Sequence, residues 1–306
     1  MRRGLLLGLA AYVSWGFFPI YFKSLRPSGA LEILAHRIVW SAVFVALLLF
    51  ALRRWPAVLR LVRDRRTLGG IGLAAALIGV NWFTYIHGVN TGHVVETSLG
   101  YFITPLITVL LGVLLLGERL RPYQWTAVGL GALAVAVLTI DYGRLPYLAL
   151  VLAATFGCYG LIKKRLGVPP AEGLLVESAA LAVPALAVLA WFGARAQATV
   201  GHVSAGHTAL VLLGGVITAT PLLLFAAATN RIPLTSMGIL QYVAPVLQLS
   251  VGLFVYHEPM PPARLAGFTL VWLALALFTW DAVHQRTRTA AALRKLVDEQ
   301  DALRTP

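Results

Sequence analysis

The sequence predicts an all-α integral membrane protein of ten transmembrane helices, built as two inverted five-helix repeats with both termini cytoplasmic. Three observations predict it: an apolar composition, ten helix-length apolar runs, and self-similarity at one constant offset along the chain.

Composition sets the class. Of 306 residues, 59% are hydrophobic and 12% charged, and mean hydropathy is +0.80. A soluble domain carries about 25% charged residues, so this chain has too few to cover a surface facing water. The single cysteine, Cys158, excludes an intrachain disulfide, and no CxxC or Cys/His cluster suggests a metal. The net charge of +13 is spread between apolar runs and at the chain ends. It lacks the aromatic-interleaved basic pattern of a nucleic-acid binder. The expected partners are the lipid bilayer and a small-molecule substrate, with no nucleic acid and no cofactor.

A helix crosses the roughly 30 Å hydrocarbon layer in about 20 apolar residues. Runs of that order occupy 4–22, 30–52, 68–89, 93–116, 123–140, 145–162, 171–192, 208–229, 234–256 and 263–280. Each is apolar nearly all round, whereas barrel strands alternate in polarity. The first run follows Arg2 and Arg3 but ends in bulky Phe17-Phe18-Pro19-Ile20-Tyr21-Phe22, which marks an uncleaved helix rather than a signal peptide. The runs at 123 and 145 are among the shortest, so length alone also allows a count of nine. After Asp281 the chain turns polar, and its Ala/Leu/Arg pattern suits a short surface helix. The expected domains are therefore a first repeat at 1–142, a second at 143–282 and a cytoplasmic tail at 283–306.

Orientation follows from the basic residues, which favour cytoplasmic loops. With the amino end inside, the inner segments hold 19 Lys and Arg and the outer loops 5. Sliding the chain against itself pairs Lys23 with Lys163, Glu32 with Glu172, Asn90 with Asn230, Pro105 with Pro245 and Gly112 with Gly252. The same offset pairs Glu118 with Glu258, Pro122 with Pro262, and Asp141 with Asp281. The shift spans five helices, an odd number, so the second copy enters from the opposite side. Inverted repeats are a recurring device of secondary transporters, in which two like units exchange roles around a central site.

Charges at membrane depth face a partner or a cavity. Glu32 and His36 share a face of the second span, with Arg37 about 10 Å deep at roughly 1.5 Å per residue. Glu96 enters the fourth span from the same side, so Arg37, His36 and Glu96 are expected to meet, as an ion pair or as part of a substrate site. His36 also has the titration range for proton coupling. Near mid-membrane lie Asn81 and Trp82, and opposite them in the repeat Thr220 and Pro221. The fourth and ninth spans present Ser98 and Tyr101 before Pro105, and Gln241 and Tyr242 before Pro245. These polar residues line a cavity or bond helices together. Trp15, Phe18, Trp40, Trp82, Phe156 and Tyr159 are candidates for an aromatic-walled pocket. Trp55, Trp125, Trp191, Trp272 and Trp280 read as interface anchors, and Glu118 and Glu258 as helix terminators. No H-E-x-x-H, G-x-S-x-G or P-loop motif is present, so no catalysis is expected and transport would run on gradients.

Several of these segments carry a family resemblance. They are Ser14-Trp15-Gly16 through Lys23, Glu32 through Ser41, Asn81-Trp82, and the run from Asn90 through Glu96 and Ser98 to Pro105. Glu118, Gln124-Trp125, Phe156 to Lys163, Glu177, Thr218 to Phe225 and Gln241-Tyr242 complete them. The chain resembles, nearly end to end, a RarD-type permease of the EamA branch of the drug/metabolite transporter superfamily. The resemblance implies a ten-helix bundle of two EamA-type repeats in the bacterial inner membrane, exporting small metabolites or amphipathic drugs such as amphenicols. A lipid-carrier flippase is the alternative, and a membrane enzyme a distant third. At the repeat offset the basic Arg37 falls opposite the acidic Glu177, so the halves are chemically unequal there.

Overall fold

The computed structural model describes residues 2–116, 120–229, 231–232 and 240–281, with no strand among them. The helices are α1 (Arg2–Gly16), α2 (Phe18–Ser24), α3 (Ala30–Ala51), α4 (Trp55–Arg63), α5 (Arg65–Asn90) and α6 (Val94–Leu116). They continue with α7 (Pro122–Tyr142), α8 (Tyr147–Leu166), α9 (Pro170–Ala194), α10 (Ala205–Thr229) and α11 (Val243–Ser250), which runs on as a π turn over Val251–Val255. The last among the described residues is α12 (Pro262–Asp281). Among the described residues, eight stretches are long and apolar enough to cross a membrane, and Tyr147–Lys163 and Val243–Val255 are shorter apolar helices. Phe50, Val183 and Phe254 are each 75% exposed and Ile140 82%. Apolar surface of that extent is stable against lipid rather than water. Of the five tryptophans read as interface anchors, all are at least 38% exposed.

Local chemistry explains the boundaries. Asp64 precedes α5 and accepts the Arg66 amide at 3.0 Å, satisfying a free N–H of the first turn. Pro122 opens α7, where its missing N–H costs nothing. Gly143 closes the same helix at φ +63°, a left-handed turn that favours glycine. The run at 123 is thus a full helix of 21 residues. Helix α4 lies where the sequence reads as a basic loop. Its Val58 is buried among Val45, Leu49 and Ile71, while Trp55, Leu59 and Val62 stay exposed.

The chain folds as two compact units. One comprises Met1–Thr104 and Tyr147–Met260, the other Pro105–Pro146 and Pro261–Pro306. In the first, α3 and α9 pack antiparallel. Glu32 in the first turn of α3 accepts the amide of Thr199, just past the end of α9, at 2.7 Å. Glu172 in the first turn of α9 lies 2.9 Å from the guanidinium of Arg54, just past the end of α3. Helix α10 closes on α3 at Gly215, where a Cβ would overlap the Trp40 carbonyl. In the second unit, α7 and α12 are tied at both ends. Arg264 at the start of α12 bonds Asp141 near the end of α7 at 2.9 Å. Arg121 before α7 reaches Asp281 at the end of α12 at 3.4 Å. Between them Gly267 packs on Leu138.

Candidate functional site

Arg37 is the most unusual side chain of the first unit. It is 5% exposed, and its Nε donates to Thr218 Oγ1 of α10 at 2.8 Å. Its guanidinium carbon lies 4.2 Å from the ring centroid of Trp82, 5.4 Å from Phe22 and 5.6 Å from Phe18. The expected meeting with Glu96 does not occur. Glu96 sits at the start of α6 and accepts the Leu148 amide, at the start of α8, at 3.2 Å. Depth along a helix follows from residue count, but the side chain it meets depends on packing, and Arg37 bonds Thr218 of α10 rather than Glu96 of α6.

The residue that the sequence offset sets opposite Arg37 is engaged on both sides. Glu177 of α9 is 2% exposed and accepts Lys163 Nζ at 2.5 Å and the Tyr159 hydroxyl at 3.1 Å. Asn81 is likewise spoken for. Its Nδ2 donates to the Leu152 carbonyl and to Thr155 Oγ1, both at 3.0 Å, and the Tyr101 hydroxyl donates to its Oδ1 at 3.4 Å. These bonds join α5, α6 and α8. Ser98 is buried and bonds back to the Val95 carbonyl of its own helix at 2.7 Å.

The six aromatic candidates separate into groups. Trp15 packs with Tyr12 and Phe225 at 5.3 and 5.9 Å. Phe18 and Trp82 flank Arg37. Phe156 joins Tyr159 and Tyr101 at 6.1 and 6.0 Å. Trp40 and His36 are half-buried on α3, and Trp40 Nε1 and His36 Nδ1 have no partner among the described residues. Thr220 lines an open cavity of about 330 Å³ with Ser14, Phe18, Tyr21 and Pro221. Gln241 and Tyr242 form the half-buried turn before α11. Glu118 lies outside the described residues, as do Asn230 and the tail.

Two features escape a reading of the sequence. His207 Nε2 sits 3.0 Å from both Ser28 Oγ and the Leu25 carbonyl, and Ser28 Oγ lies 2.5 Å from Thr199 Oγ1. With Glu32 on the Thr199 amide, this network joins the two loops at the Glu32 end of α3. Ser28 and Thr199 carry no sequence signal for it. Glu258, read as a helix terminator, instead accepts the Val94 and Val95 amides at 2.7 and 2.8 Å, capping the amino end of α6. Burial pushes its carboxyl above the usual range, and the two amide bonds oppose that shift.

Apolar helices with exposed aromatics and charges sealed inside define a multi-pass membrane protein. The EamA-like transporter family matches residues 2–140. "Protein RarD" of Streptomyces exfoliatus is 52% identical over 95% of this chain and 93% of its own length. "Uncharacterized transporter YojE" of Bacillus subtilis (strain 168) is 46% identical over 92% of this chain and 95% of its own. A solved structure, described as "Crystal structure of protein", has a TM-score of 0.60 at 21% identity. It covers 92% of this chain and 98% of that one, and supports the fold alone. The chain belongs to the EamA-like transporter family, as a RarD-type permease of the drug/metabolite transporter superfamily. It is a multi-pass transporter of the bacterial inner membrane.

Proposed function

We propose that this chain is a secondary exporter of small metabolites or amphipathic drugs such as amphenicols, working by alternating access between two inverted five-helix repeats. The ten spans and the cytoplasmic termini belong to the same reading. The observation that carries it is the reciprocal locking of α3 and α9, in which each helix places a first-turn glutamate at the far end of the other. Glu32 and Glu172 correspond at the repeat offset, and so do the starts of α3 and α9, of α5 and α10, and of α7 and α12. Antiparallel copies of one unit supply two equivalent ends, and opening one while closing the other needs no new fold.

The site of this reading takes in Thr220, on the wall of the open cavity, Arg37, which Phe18 of that wall flanks, and Trp82 over its guanidinium, with Trp15, Trp40, His36, Tyr101 and Tyr159 as further candidates. Proton coupling through His36 is part of the proposal. The test is flux of labelled chloramphenicol and amino acids in vesicles of purified protein. Accumulation above equilibrium that collapses with an ionophore supports the reading; no movement of any solute by folded protein overturns it. One observation favours a lipid-carrier flippase instead: Phe17 and Val216 at the open cavity are 46% and 37% exposed, on a surface that meets lipid. Scrambling of a fluorescent polyprenyl-phosphate lipid, without solute flux, would select that reading.

A further inference from the structure

Buried charge in a membrane protein is costly and is normally answered by a partner. Glu32, Glu172 and Glu177 each have one. Arg37 does not: no carboxylate among the described residues pairs with it, and the ionisable groups that face it are the phenols of Tyr101, Tyr21 and Tyr85. We propose that Arg37 anchors a carboxylate on the transported solute, so that the substrates are small carboxylic acids with an apolar or aromatic body. This rests on the transporter reading above and narrows it to a substrate class.

The geometry carries the argument. The hydrogen bond of Arg37 to Thr218 runs from Nε, which fixes the rotation of the guanidinium. That leaves the two terminal nitrogens, the fork that matches both oxygens of a carboxylate, without an acceptor among the described residues. Trp82 covers the group at 4.2 Å. A ring face offsets part of a cation's charge but does not satisfy its in-plane donors. A second donor is idle close by: Tyr85 is 3% exposed, its hydroxyl has no partner among the described residues, and its ring packs on Phe22 at 5.9 Å. Access is present as well. Phe18, which packs on the guanidinium, also walls the open cavity of about 330 Å³, at the lower end of the volumes that hold small ligands. An acid entering there would lay its body on Phe18 and Trp82 and its carboxylate in the fork.

The test uses detergent-purified full-length protein and two matched pairs of probes: 3-phenylpropionate with 3-phenylpropionamide, and hexanoate with hexanamide. Binding is followed by thermal unfolding and tryptophan fluorescence. The acids should raise the transition in a concentration-dependent way, with the amides at least tenfold weaker. Arg37→Gln should abolish the difference, Arg37→Lys should keep part of it, and Thr218→Val should weaken acid binding severalfold. Equal binding of acids and amides, no binding of either acid to the native protein, or acid binding that survives in Arg37→Gln would each overturn the proposal. Should Arg37→Gln fail to fold, the native acid-to-amide ratio and Thr218→Val decide. Vesicle flux separates the two levels. Transport of neutral amphenicols with no preference for acids keeps the transporter and removes the anion site. Acid binding without flux of any solute does the reverse.

Discussion

Arg37 and Glu177 are each the eighth residue of their helix, α3 and α9, and stand at the offset that also pairs Glu32 with Glu172. They carry opposite charges and live in opposite circumstances. Glu177 is held by an ammonium and a phenol from α8. Arg37 has one hydroxyl and three aromatic faces. The same position thus keeps its helix in both places while the chemistry differs: in α9 it locks neighbouring helices, and in α3 it leaves a charge unanswered.

The largest effect should come from breaking the locked side. Lys163→Ala strands the Glu177 carboxylate with Tyr159 alone, and should cost about 3 kcal/mol in thermal or denaturant unfolding. Next is the backing of Arg37. Gly215→Ala drives a methyl into the Trp40 main chain and should cost about 1–3 kcal/mol, read as lower abundance in membranes. Asn81→Ala removes the bonds that tie α5 to α8 beside Trp82 and should cost about 1 kcal/mol. The smallest change in stability belongs to Arg37→Gln. It strands no carboxylate, and glutamine can still donate to Thr218, so the loss should stay below about 1 kcal/mol. A loss as large as that of Lys163→Ala would erase the contrast between the two positions.

Much of the frame is legible in the sequence because it lies along the chain. Apolar runs, the proline that opens α7 and the glycine that closes it are local, and each predicted run contains a helix. The starts at Ala30 and Pro170, or Arg65 and Ala205, follow the same spacing as the residue identities. The site is less legible because it lies across the chain. Residue count gives the height of Arg37 but not its azimuth, so Glu96 is the natural guess and Thr218, 181 residues away, the actual partner. The link from Glu177 to Lys163 needs α8 and α9 to be neighbours on the correct face. Helix α4 hides because a short segment bearing Arg60 and Arg63, just after Arg53 and Arg54, resembles a loop until Val58 is seen to be buried. The π turn after α11 has no sequence mark at all.

Inversion of the repeat is the central claim, and side-specific labelling tests it most directly. The probes are single cysteines in a Cys158→Ser background, at the exposed Arg53 beyond α3 and the exposed Gln197 beyond α9. These sites stand next to the Arg54–Glu172 pair and the Thr199–Glu32 bond. With a membrane-impermeant maleimide on intact cells, the cysteine at 197 should react and the one at 53 should react only after lysis. Labelling of both from the same side would contradict the account.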